Sequence, residues 1–456
     1  MKRFVLTTAL VLSLCASAMA QTGTDNLDVQ RFELTPTAPP APALKYQFLF
    51  RDAFERRPGN AAILYMYATL LMGPDAKDKA EKALEAYDAK NMARFNNLAD
   101  SLENHSVLEE LDLAGRCENC DWEYPWHEEG LGTLLPQLSP LRTLGRILKV
   151  RALREIDQGK VDDAIKTMRL GYEMADKVGE KGVLVCGLIS LSISLNMNEC
   201  LEQLMNRPDA PNLYWALSEF PNRQSVLSAA IDGESQWWVN AVPNLAQAWR
   251  GEELSAQQWH AVLDYLDSVV NGIHVDRSDV VKATSPDLMR QAREQYAQTH
   301  HITSEQAAGV DPIIVVGTFY LSQLQIARDN AFKLRGLANP TRIAMSNKAH
   351  DDLEKLMREQ PANAFLQTLS DFHGIYVKFA RIDRQLAALT TVEAIRSYAA
   401  ANNGQLPAQL SDITETPVPL NPATGEPFEY RVDDGTATLS DSKFEFRLAY
   451  TIRIRK

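Results

Sequence analysis

The sequence of 456 residues contains no HExxH spacing, no GxSxG elbow, no Walker phosphate loop and no GxGxxG dinucleotide turn. The metal-protease, α/β-hydrolase and nucleotide-binding signatures are therefore missing, and the reading leans away from an enzyme. It does not close the question, because many active sites carry no local motif. Cations are in deficit: 47 Lys and Arg face 59 Asp and Glu, for a formal charge of −12. A general nucleic-acid binder needs cations facing the phosphates, so that class is disfavoured. Apolar runs are short. Neither Phe4–Leu14 nor Val183–Ile189 approaches the ~20 residues of a comfortable bilayer span. Cysteine is scarce, with five in the chain. Bulk apolar content is not lacking, since 45% hydrophobic and 23% charged residues exclude global disorder. The length suits two or three domains, or one extended repeat array.

Residues 1–20 read as an export signal. Lys2 and Arg3 make the positive end, Phe4–Leu14 the apolar run, and Ala18-Met19-Ala20 the small–x–small cleavage pattern before Gln21. Cys15 follows Leu14, where a lipoprotein signal wants a small residue, so lipidation is disfavoured. The expected mature chain is exported to the periplasm or cell envelope, without a transmembrane segment. It keeps Cys117, Cys120, Cys186 and Cys200, which permit up to two disulfides in three pairings.

Residues 21–42 are polar and carry Pro36, Pro39, Pro40 and Pro42, a composition that predicts an extended, unpacked tether. Helical periodicity begins at Ala43. Arg57-Pro58-Gly59-Asn60 breaks the chain, and Asn60 is placed to cap a helix over 61–72. Between Leu141 and Asp176 the pattern predicts two helices joined at Gln158-Gly159-Lys160, a turn so short that they must pack antiparallel. Val183–Leu204 reads as a buried core helix, and Ile313–Leu337 as a long helix ended by Asn339-Pro340. A final helix over 365–402 carries an apolar stripe from Phe372 to Ile395, with Lys378, Arg381, Arg384 and Arg396 falling largely away from it. The period then shortens to two. Phe428, Tyr430 and Val432 alternate with polar residues, Asp433-Asp434-Gly435 makes a hairpin turn, and Phe444 to Ile454 alternates as one long half-buried strand. The basic Arg453–Lys456 tail reads as the outer face of an edge strand, where charge discourages aggregation. The fold class expected is mainly α: an irregular helical body over 43–360, then a helix packed on a small antiparallel sheet over 361–456.

The helix pair at 141–176 resembles a tetratricopeptide-repeat unit, with Gly159, Ala164, Ile165 and Gly171 matching its pattern. Its first helix lacks the expected aromatics, and three clean copies are not found. Pro58-Gly59-Asn60-Ala61-Ala62, Cys120-Asp121-Trp122 and the run Pro208 to Leu217 resemble a family of exported proteins typical of planctomycete-type bacteria, for which no activity carries over. Gly404-Gln405-Leu406-Pro407 through Pro422, with Gly425 to Tyr430, is similar to the globular half of type II secretion pseudopilins. That resemblance implies a shape without an activity, and the ordinary leader argues against assembly into a pseudopilus.

The candidate chemistry is thin. Cys117-Glu118-Asn119-Cys120 can be a redox pair, half a zinc site or a small disulfide loop. Zinc would need two more ligands, and only His127 is near; haem attachment would need His where Asp121 stands. A structural role is preferred. Cys186 and Cys200 sit fourteen positions apart in one predicted helix, ~21 Å along its axis and out of bonding range. His300-His301 reads as a solvated helix end. Acid pairs such as Asp162-Asp163, Glu128-Glu129 and Asp351-Asp352 read as solvated faces. Trp237, Trp238, Trp249 and Trp259 lie close enough in sequence to suggest an aromatic platform, although buried packing is the commoner role. No metal or cofactor is expected. The leading expectation is a non-enzymatic scaffold for a protein or peptide partner, and the alternative is an envelope glycan-binding or glycan-processing protein using 237–259.

Overall fold

The computed structural model describes residues 29–49, 51–124, 135–180, 182–220, 224–270, 279–369, 371–444 and 446–455. The expected leader, including Cys15, together with His127, Glu128-Glu129 and His274, lies outside them. Among the described residues the protein is mainly helical, with a small sheet of four strands and a separate two-stranded pair. The α-helices are α1 (Ala61–Leu71), α2 (Ala76–Asp88), α3 (Met92–Ser101), α4 (His105–Arg116), α5 (Leu138–Asp157), α6 (Val161–Glu180), α7 (Leu184–Met205), α8 (Tyr214–Ser218), α9 (Gln224–Ala241), α10 (Leu245–Trp249), α11 (Ala256–Val270), α12 (Asp279–Ala283), α13 (Pro286–His300), α14 (Ser304–Ala308), α15 (Pro312–Phe332), α16 (Asn339–Glu359) and α17 (Phe372–Ala401). The strands are β1 (Gln30–Leu34), β2 (Arg57–Asn60), β3 (Cys117–Asn119), β4 (Glu429–Asp433), β5 (Thr436–Asp441) and β6 (Leu448–Ile454).

The short-turn hairpin forms as its sequence predicts. Gly159 adopts φ +73° between α5 and α6, a left-handed conformation that costs glycine least. Ala152, Leu153, Ala164, Ile165 and Met168 bury the facing surfaces. α7 then packs on both members of the pair. It is long and apolar enough to cross a membrane by length and composition, and 72% of its most apolar window is buried inside the fold.

Several expectations are corrected. Residues 30–34, expected within an unpacked tether, form β1 and pair in parallel with β6, burying Phe32 and Leu34. β6 is therefore not an edge strand: the order β1-β6-β5-β4 leaves β1 and β4 at the edges. The strand is also shorter than the alternation suggests. Phe444 and Phe446 leave the ladder because their rings lie against the guanidinium groups of Arg384 and Arg381, 4.7 and 4.9 Å away. Arg57–Asn60 is more than a break, since it pairs with β3, while Asn60 does cap α1 by accepting from the Ala62 N–H. Asn339-Pro340 starts a helix instead of ending one, because proline in the first turn needs no hydrogen-bond donor. α15 ends earlier, in a short 3₁₀ turn over Lys333–Gly336.

α17 carries buried residues all around its circumference, so the single-stripe expectation fails. Arg384 and Arg396, expected largely outside the core, are 2% and 0% exposed. Each is neutralised by a buried carboxylate, Asp441 at 3.0 Å and Glu393 at 2.9 Å. One core cluster accordingly runs from Phe32 to Ile452, crossing the boundary expected near 360, and joins α1–α9 to α17 and the sheet. A second cluster, from Val242 to Phe365, is built by α10, α11, α13 and α15.

Candidate functional site

The CxxC sequence lies on β3 directly after α4, so it starts on a strand instead of opening a helix as thioredoxin-type chemistry requires. Its anchor is Asn60, whose side chain accepts from the Asp121 N–H at 2.8 Å and donates to the Asp121 carbonyl at 2.7 Å. All four described cysteines are buried thiols, and no disulfide joins Cys117 to Cys120. Cys117 donates to the Leu113 carbonyl. Burial raises the pKa values of Cys117 and Cys186, the opposite of what a reactive thiolate needs. Cys186 and Cys200 share α7, as expected. Among the described residues no three or more His, Cys, Asp or Glu side chains converge on a point that could hold a metal.

Among the described side chains, Trp237, Trp249 and Trp259 pack inward and do not form a joint platform. Trp259 is 2% exposed inside the second core. Trp249 packs on that same core with the Arg328 guanidinium 4.2 Å above its ring, while Trp237 packs against the other core. The side chain of Trp238 lies outside the described residues. The cause is simple: Trp237, Trp249 and Trp259 fall on three different helices, α9, α10 and α11, and each packs inward, on one of two cores.

A serine–histidine contact escaped the sequence reading. Ser346 Oγ lies 2.9 Å from His373 Nδ1, and His350 stands between His373 and Asp371. The serine is 2% exposed and gives its own proton to the Ile343 carbonyl. The hydroxyl thus has two partners, the Ile343 carbonyl and the imidazole, and is buried away from solvent. His300 and His301 end α13 as expected, with His301 in the left-handed cap position.

No family model, curated protein or solved structure matches this chain.

What remains is surface, and two features adjoin on the α1–α5 face. The first is a recess of about 250 Å³. Its apolar wall comes from Leu102, Val107, Leu108, Ile147 and Val150, and its rim carries Lys79, Arg151, Arg154 and Lys160. Local structure explains how the wall is held open. Asn104 caps α4 through Ser106 and Val107 and donates to the Leu71 carbonyl, fixing the α3–α4 turn against the end of α1. Arg154 pairs with Asp100 and Glu103, and Arg151 pairs with Glu103 and Glu155. Burial pushes the Glu155 carboxyl upward, opposed by the Thr167 hydroxyl and Arg151. Lys79 and Lys160 have no ion-pair partner among the described residues, which leaves two cations available at the mouth.

The second feature is the outer side of α1. Ile63, Met66, Tyr67, Leu70 and Leu71 follow at helical intervals and are 36–74% exposed. The inner side is Ala61, Ala62, Tyr65 and Ala68, packed on α4. Both faces are apolar, so periodicity could not tell them apart; three alanines face inward beside Tyr65, where α1 and α4 pack together.

Proposed function

We propose that this chain is a non-enzymatic interaction scaffold, exported to the periplasm or cell envelope, that docks a peptide or protein segment on its tetratricopeptide-like helical face. The recess between the α3–α4 turn and α5 carries this reading. It offers an apolar wall for side chains and two uncommitted lysines for a carboxylate, the combination that peptide grooves use. The leader pattern supports export, and the antiparallel hairpin at Gly159 supports the repeat-like character. The tryptophan-based glycan alternative draws no support from Trp237, Trp249 and Trp259, which pack on the helical cores.

The test is capture from envelope extract by the purified chain, compared with a Lys79→Glu/Lys160→Glu double variant. Both lysines reach solvent, so folding should be unchanged. We expect a reproducible partner that the variant loses, with binding by the parent chain weakening as salt rises. Failure to recover any partner, or equal recovery by the variant, would show that the recess docks no partner.

A further inference from the structure

We infer that the outer face of α1 is a self-association surface, which packs against α1 of a second copy of this chain in an antiparallel, twofold-symmetric contact. The inference goes beyond the recess and does not depend on it.

The stripe is an anomaly in a water-exposed helix. Five of the thirteen large apolar side chains exposed among the described residues belong to these eleven positions, and Phe54, 98% exposed, lies just upstream. Side chains of this size together present on the order of 600 Å², at the upper limit for a monomer's largest patch and near the ~800 Å² per partner of a specific interface. From Pro58 to Pro74 there is not one charged residue. The nearest charges at the two ends differ in sign, although Asp52 and Glu55 lie further upstream and Lys77 and Lys79 further downstream. Arg56 and Arg57 precede α1, are exposed, and have no ion-pair partner among the described residues; exposed Asp75 follows it.

That arrangement is its own complement. A twofold axis through the middle of the stripe, near Tyr67, runs the two helices antiparallel. Apolar residues then meet apolar residues, while Arg56 and Arg57 approach Asp75 of the partner subunit and Asp75 approaches the partner's arginines. The antiparallel helix dipoles also oppose each other favourably. A lipid surface fits less well. Interfacial helices carry Lys or Arg along a polar face, whereas the opposite side of α1 is alanine and tyrosine buried on α4.

Sedimentation velocity of the full chain over a concentration series tests this. The expected result is a reversible monomer–dimer equilibrium. Leu70→Glu should shift it to monomer by at least tenfold in dissociation constant, since an unpaired carboxylate would be buried at the contact; Leu70 is 74% exposed, so the thermal melt of the monomer should not move. Arg57→Asp should weaken the dimer, and adding Asp75→Arg should restore it. Tyr67→Cys, near the axis, should cross-link between copies under mild oxidant more than the parent chain, whose described thiols are buried. A chain monomeric at every concentration, or a dimer indifferent to Leu70→Glu, would overturn the inference. So would a monomer that floats with phosphatidylglycerol vesicles through this stripe.

Discussion

Arg396 is wholly buried, yet it leaves few of its donors idle. Two hydrogen bonds of 2.9 Å reach the Glu393 carboxylate, and others reach the Ala210 and Pro211 carbonyls, the Thr35 carbonyl and the Thr37 hydroxyl. One side chain thus ties α17 to two distant parts of the chain. None of this was legible in the helical pattern, because periodicity assigns a charge to the outside and cannot see acceptors that arrive from 185 or 361 positions away. Glu234 is a second charge whose surroundings override its residue type. It accepts the Leu184 N–H at 3.1 Å at the start of α7, and burial raises its pKa from 4.5 to about 7. Because the folded value lies above the unfolded one, its contribution favours the native state fully below about pH 4.5 and is lost as pH rises through about 7. Glu234→Gln keeps an acceptor for Leu184 and cannot ionise. We expect the variant to gain about 1–2 kcal/mol over the parent at about pH 8 and little at about pH 5, after discounting for its partial exposure. Urea midpoints at the two pH values check this; a difference that does not change with pH would sink it.

At the scale of single elements, the sequence was most legible where two local signals agreed. The α5–α6 hairpin combined helical periodicity with a turn glycine, and the β4–β5 hairpin combined alternation with Asp434-Gly435; both hairpins formed. Reading failed where one signal had two meanings. Pro340 could stop a helix or start one. The hairpin yields a prediction of its own. A Cβ at Gly159 would meet Arg207 Nη2 at 3.0 Å, and φ +73° is strained for any L side chain. Gly159→Ala should therefore cost about 1–2 kcal/mol in denaturant unfolding, whereas Gly159→Asn, which tolerates this conformation better, should cost less. Equal losses from the two would mean the turn is not left-handed.

Across the whole molecule, the proline-bearing N-terminal segment changes from appendage to component. Its composition hid this, since Leu27, Val29, Phe32 and Leu34 are its only large apolar residues in an otherwise polar, proline-bearing stretch. Their alternation is too brief to declare a strand, and the partner, β6, comes more than four hundred residues later. In the structure Phe32 meets Tyr450 edge-on at 5.1 Å, the Arg455 N–H donates to the Leu34 carbonyl at 2.8 Å, and the Glu33 N–H donates to Asn206. β1 therefore closes the sheet over the same core that holds α7 and α17. If residues 29–37 were a tether, a chain starting at Ala38 would unfold like one starting at Val29. The structure requires otherwise. Removal would uncover β6, expose core formerly covered by two fully buried side chains, and strip Arg396 of its Thr35 and Thr37 acceptors. Together these losses should lower unfolding stability by on the order of 5 kcal/mol. Phe32→Ala alone should account for roughly 3 kcal/mol of it. Chemical denaturation of the three chains, followed by far-ultraviolet circular dichroism, decides between the readings: coincident curves restore the tether, and a graded loss places β1 in the core.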